Sequence, residues 1–227
     1  MRRIFAPLHP DGFKFVAAAV VVSLLLFLIW QPAGWLGAAV TRWVAYFFRD
    51  PWRVTPQREG LLISPADGSV VSVTHALPPP ELAMGEEAVA CVGIFLSLFD
   101  VHVTRAPIGG RIATVRRVAG RFIDASRDEA SRQNERIAIR VSPPEGPEIA
   151  FVQVAGLVAR RIVCDLREGQ EVSVGQRIGI IRFGSRVDIY CPPPYVPLVI
   201  AGQRMIGGET VIADRLAREP PREGVTQ

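Results

Sequence analysis

Residues 177–190 read RIGIIRFGSRVDIY. Two runs with the length and branched apolar content of β-strands, Arg177 to Phe183 and Arg186 to Tyr190, are separated only by Gly184 and Ser185. The same texture extends upstream. SVVSVT (69–74), AVACVGIFL (88–96), RIATVRRV (111–118), RIAIRV (136–141), EIAFVQVAG (148–156) and ARRIVC (159–164) are short β-branched runs, punctuated by Gly and Pro every eight to twelve residues. That spacing predicts a mainly β fold, a sandwich or barrel-like body from about Arg49 onward. LPPPELAMGEE (77–87) and SPPEGPE (142–148) read as exposed loops, and the chain beyond Leu216 as a loose, charged tail.

Upstream of Arg49 the pattern changes. Phe15 to Trp30 is apolar apart from Ser23, and after Gln31-Pro32 a second apolar stretch runs from Ala33 to Phe48. Each is near the lower limit of about 17 residues for a bilayer-spanning helix. Arg2, Arg3 and Lys14 precede the first stretch and Arg49 and Arg53 follow the second, while the connection carries no charge. Positive flanks favour the cytoplasm, so residues 1–48 are expected to form a helical hairpin that enters the membrane from its cytoplasmic face, broken at Gln31-Pro32. Trp30 and Trp35 are expected at its tip or at the far interface. A basic start and apolar core also suit a cleaved signal peptide, but a second apolar stretch follows at once. Arg42 within that stretch points to an amphipathic, partly interfacial helix or to a snorkelling side chain.

The chain has 227 residues, 49% of them hydrophobic, with 26 basic against 22 acidic residues and a net charge of +4. The basic residues are spread without a run, so nucleic acid is not an expected partner. Cys91, Cys164 and Cys191 lack metal-ligand spacing and read as free thiols of a reducing compartment. His9, His75 and His102 form no metal-binding pair, so no metal is expected, and His9 and His75 read as interfacial and exposed residues. Lys14 is the single lysine. Chemistry that needs a lysine, including the Schiff base that ordinarily holds pyridoxal phosphate, therefore has almost no candidate in this chain.

Four stretches stand out from the strand background: SPADGSV (64–70), SLFDVHVTRAP (97–107), RQNERIAI (132–139) and the RFGSRVD step (182–188). Singly, each has an ordinary reading as a turn, a chance pair, a solvated hairpin end or a bend. Together with YFFRDPWR (46–53) and VQVAGLVARRIV (152–163), in this order, they resemble the phosphatidylserine decarboxylase family in its short, membrane-hairpin form. The resemblance covers nearly the whole chain.

What the resemblance implies is specific. The precursor would cut itself between Gly184 and Ser185 into a large chain (1–184) and a small chain (185–227), held together as a heterodimer that leaves room for a higher oligomer. Ser185 would become a covalent pyruvoyl group, the electron sink for decarboxylating phosphatidylserine to phosphatidylethanolamine, with neither metal nor pyridoxal phosphate. Attack of Ser185 Oγ on the Gly184 carbonyl would give an ester, loss of the Ser185 α-proton would expel the Gly184 carboxylate, and hydrolysis of the resulting dehydroalanine would release ammonia. Asp67 matches the aspartate of the family's Asp-His-Ser cleavage set. His102 matches the first of two family histidines, and Arg105 stands where many relatives carry the second. Either His102 serves both cleavage and decarboxylation, or cleavage proceeds without a histidine. We favour His102, whose ordinary pKa near 6.5 suits acid-base work. Arg105 is a candidate for the substrate's phosphate or carboxylate, or for an ion pair with Asp100 or Glu135. Glu135 and Arg136 are candidates for an ion pair that positions the cleavage loop.

Two other readings stay open on the sequence. One is a pyruvoyl decarboxylase for another amino-acid-bearing substrate. The other is a non-catalytic, membrane-anchored relative of biotinyl or lipoyl carriers, although the lysine such a carrier modifies is missing at the turn.

Overall fold

The computed structural model describes residues 6–157, 161–182, 184–220, 222 and 224. Arg2, Arg3, residues 158–160 of the VQVAGLVARRIV motif and Phe183 of the cleavage motif lie outside the described residues.

Two helices open the fold, α1 (Phe13–Ile29) and α2 (Gln31–Phe47). The break falls at Trp30, whose extended backbone caps both helices, one residue earlier than expected. Pro32 lies in the first turn of α2 rather than ending α1, because a first-turn residue has no intrahelical partner for the N–H that proline lacks. Small residues let the helices approach. A Cβ on Gly37 would lie 2.8 Å from Ser23 Oγ, and one on Gly34 would overlap the Phe27 ring. Ser23 and Thr41 share a hydrogen bond of 2.9 Å, and each also bonds a carbonyl of its own helix. The segment Pro10–Ile29 is long and apolar enough to cross a membrane by length and composition. Leu28, Ile29, Trp30 and Trp35 are exposed at the hairpin tip.

The body is mostly β, with a large sheet curled into a half-barrel. Its strands are β1 (Leu61–Ile63), β2 (Gly68–Ala76), β3 (Val89–Leu96), β4 (Val103–Arg105), β5 (Gly110–Val118), β6 (Arg136–Ser142) and β7 (Ile149–Ala155). They continue with β8 (Ile162–Cys164), β9 (Glu171–Val172), β10 (Arg177–Ile181), β11 (Ser185–Cys191), β12 (Val196–Pro197), β13 (Arg204–Met205) and β14 (Val211–Asp214). Eight strands form the large sheet in the order β13-β2-β3-β11-β7-β6-β5-β9. Two three-stranded sheets, β1-β14-β12 and β4-β10-β8, complete the body, and these strands pair antiparallel throughout.

The strand β11 lies inside the large sheet, so both of its backbone edges are paired and all seven of its residues are buried. Side chains alternate across it. Val187, Ile189 and Cys191 enter the main core with Ile94, Leu96, Phe151 and Ile181, whereas Tyr190 packs on the opposite face with Leu82 and Val152. That second face is covered because the 77–87 segment is not simply an exposed loop. Its one-turn helix Pro80–Leu82 buries Leu82, and Glu81 pairs with Arg136 at 2.8 Å. The shielding explains how Arg186 and Asp188 can both be buried: they pair with each other at 2.6 Å, and Arg186 also reaches Ser72 and Asp128.

Candidate active site

Strands β10 and β11 belong to different sheets, and Gly184 stands at the corner just before β11. Gly184 takes φ +72 there, a region that glycine enters freely and other residues resist. Its carbonyl is approached closely from β7's end: a Cβ on Gly156 would lie 2.3 Å from Gly184 O. Glycine is therefore required on both sides of this contact, at one position by dihedral angle and at the other by space.

The buried Asn134, from the NER triplet, secures the neighbouring backbone. Its Nδ2 donates to Ile123 O at 2.9 Å and to Ala155 O at 2.7 Å, and its Oδ1 accepts from Ile123 N–H at 3.0 Å. Ala155 is the β7 residue paired with Ser185. The expected Glu135–Arg136 ion pair does not form. Strand alternation sends the two side chains to different neighbours, Glu135 to Arg117 and Arg136 to Glu81. The residue of this motif that meets the site is Asn134.

Ser185 opens β11 between Leu96 and Ala155. Its hydroxyl is buried and, among the described residues, has no hydrogen-bond partner. Two residues further along the register lies Gln153, also fully buried, whose Nε2 donates to Thr104 at 2.7 Å while its Oε1 is likewise unpartnered. Buried polar atoms normally find partners, so the unpartnered Ser185 hydroxyl in the strand that follows Gly184 stands out.

His102 completes the group. Its Nδ1 lies 3.0 Å from the Asp100 carbonyl oxygen, a contact that requires the proton on Nδ1. Its Nε2 is then the acceptor, and Gly184 N–H donates to it at 3.1 Å. Burial lowers the His102 pKa to about 4, only partly opposed by the Asp100 carbonyl, so the ring is uncharged near pH 7.

The remaining expected residues lie differently. Asp67 bonds Arg53 Nη2 and the Gly207 N–H, each at 2.6 Å. Among the described residues no hydrogen bond joins Asp67 to His102; the Asp100 main chain orients the ring instead. Burial raises the Asp67 pKa against the pull of Arg53 and Gly207. Arg105 is buried in β4, where Nη1 donates to Gly175 O and Nη2 to Asp50 and Pro51 O. Its ion-pair partner is thus Asp50, not Asp100 or Glu135, and its guanidinium braces the chain leaving α2. Asp100 is held by Ser97 and Arg204; these bonds outweigh the upward push of its burial and keep its pKa low.

The arrangement offers a neutral imidazole, an unpartnered hydroxyl and a glycine carbonyl at one corner, which suits acyl transfer from Gly184 to Ser185. Comparison with known proteins agrees with the motif order. A family model described as phosphatidylserine decarboxylase matches residues 40–213. A protein of Cereibacter sphaeroides named phosphatidylserine decarboxylase proenzyme is 53% identical over 221 residues, covering 97% of this chain and 95% of that protein. Proteins of the same name from Paramagnetospirillum magneticum and Ruegeria pomeroyi are 52% and 51% identical, covering 97% and 92% of this chain and 92% and 95% of their own lengths. By the family model and these full-length relatives, the chain belongs to the phosphatidylserine decarboxylase family.

Proposed function

We propose that the chain is made as a precursor that cuts itself between Gly184 and Ser185, and that the cut protein decarboxylates phosphatidylserine to phosphatidylethanolamine at the cytoplasmic face of the cell membrane. The observation that carries this reading is the buried, unpartnered Ser185 hydroxyl next to a left-handed glycine whose N–H is bonded to His102 Nε2.

The residues present fit a group made from Ser185 itself. His102, neutral at Nε2, takes the hydroxyl proton as Oγ attacks the Gly184 carbonyl carbon, and the peptide C–N bond gives way to an ester. Removal of the Ser185 α-proton then expels the Gly184 carboxylate, and water releases the former Ser185 nitrogen as ammonia. Asp67, its pKa raised by burial, is the carboxyl we assign to the cleavage set beside His102. The pyruvoyl group so formed supplies a carbonyl that conjugates with the substrate amine and accepts the electrons left when carbon dioxide departs. After the cut, His102 remains as the proton donor and acceptor at the same corner.

The topology favours two chains that stay together. The proposed small chain contributes β11, β13 and β14, which pair with β3, β7, β2 and β1 of the large chain. The apolar hairpin supports a membrane site of action, as a two-chain lipid substrate requires. Assay of the purified protein on vesicles of phosphatidylserine, with free serine as comparison, tests the substrate: release of carbon dioxide from the lipid alone is expected. Equal turnover of free serine would instead favour the soluble-substrate reading.

A further inference from the structure

The YFFRDPWR segment (46–53) joins the hairpin to the β-body, and the chemistry above leaves most of it without a role. Its residues are tied to the site one by one. Phe47, the last residue of α2, is fully buried, although Leu36 and Val40 on the same helix are 68% and 50% exposed. Its ring lies 4.2 Å, centroid to centroid, from the His102 imidazole at a tilt of 34°. Phe48 packs edge-on against Phe47 at 5.1 Å and stacks on Phe15 of α1, also at 5.1 Å. Val101, Val103 and Ile180 close the same cluster from the β-body.

Ion pairs hold both roots of the hairpin onto this cluster. Asp50 bonds Arg105 of β4 and Arg177 of β10, and Asp11, just before α1, bonds Arg182 at 2.7 Å. Arg182 stands two residues ahead of Gly184. The hairpin is therefore clamped to the strand that leads into the scissile corner, and Phe47 forms one wall around the histidine.

We propose that Phe47 is a positioning residue for His102: its ring covers one face of the imidazole and fixes the plane in which Nδ1 meets Asp100 O and Nε2 meets the Gly184 peptide. The inference rests on the reading of His102 as the proton acceptor in self-cleavage. It gives the hairpin a part in the chemistry in addition to any anchoring. Water exclusion by the Phe47 ring also keeps the imidazole neutral; the charged groups acting on it are Asp100 from its own segment and Arg49 from the joint.

The test is the rate of self-cleavage of the full chain, synthesised in the presence of phospholipid vesicles and followed by denaturing electrophoresis across pH 4 to 8. As the side chain shrinks through Phe47→Leu, Phe47→Val and Phe47→Ala, water reaches the ring. The acid limb of the profile should then climb from near the His102 value of about 4 towards the ordinary 6.5. Phe47→Ala should also slow cleavage about tenfold at neutral pH, the cost of about one misplaced hydrogen bond, with Phe47→Leu recovering most of the rate. Phe48→Ala empties the same cluster but keeps the Phe47 ring, and should lower stability while leaving the limb in place. If Phe47→Ala fails to fold, the Leu and Val variants carry the comparison. An acid limb that stays put across every folded Phe47 variant, or that moves equally in Phe48→Ala, overturns the inference. A wild-type chain that is never cut overturns the underlying reading instead, so the two failures are distinguishable.

Discussion

Gly184 N–H donates to His102 Nε2 at 3.1 Å, while the hydroxyl of the next residue, Ser185, has no partner among the described residues. The lone pair needed to activate the serine is thus engaged by the neighbouring peptide. The proposed cleavage would require Nε2 to exchange Gly184 N–H for Ser185 Oγ, and the corner at Gly184, where φ is +72, is where the backbone can yield. His102→Ala removes the acceptor altogether. Loss of decarboxylation and cleavage slowed by about a hundredfold or more are expected, the usual range for a general base. Normal rates of both would remove His102 from the site.

Gly156 supplies the space in which the Gly184 carbonyl lies. A methyl group there would stand 2.3 Å from that oxygen, so Gly156→Ala must push the scissile peptide or the end of β7 aside. Overpacking of this kind costs about 1–3 kcal/mol. Thermal denaturation should record the loss, and the fraction of cut chain should fall with it.

Arg105 is expected to act on stability rather than on substrate affinity. Lysine at this position keeps the charge but cannot reach Gly175 O, Asp50 and Pro51 O together in the geometry of a guanidinium. Arg105→Lys should lose about 1–3 kcal/mol, the cost of leaving buried acceptors unmet, while KM for phosphatidylserine in the cut fraction stays within about twofold. A tenfold rise in KM at unchanged stability would return Arg105 to the substrate.

Acid sensitivity follows from the same histidine. Its folded pKa of about 4 lies below the ordinary 6.5, so between those values the unfolded chain binds a proton that the folded chain does not. This contribution to stability is fully present above pH 6.5 and is lost as pH falls towards 4. The shift corresponds to a loss of roughly 3 kcal/mol. Denaturant titration of the uncut Ser185→Ala protein between pH 7.5 and 4 should show the decline, and adding His102→Phe should flatten it.

Much of this was legible in the sequence where side-chain alternation ran five residues or more. The runs at 69–74, 88–96, 111–118, 136–141 and 148–156 fall in strands to within a residue at each end, and Gly184 precedes β11, which Ser185 opens. Strands of two residues, such as β9, β12 and β13, are too short to alternate and become strands only by pairing with distant partners. Side-chain direction was the other limit. In NER three polar residues look alike on the page, yet only Asn134 turns inward to hold Ala155 O, because the chain bends there into β6. Phe47 looked like one more apolar residue of a membrane helix. Its contact with His102, across 55 positions, exists only once the hairpin is clamped onto β4 and β10.

The most direct measurement is the mass of the purified protein's chains under denaturing conditions. A large chain ending at Gly184 and a small chain beginning with a blocked residue at position 185 are expected, both replaced by one intact chain in Ser185→Ala. A folded wild-type protein that keeps its full-length mass would contradict the proposed cleavage.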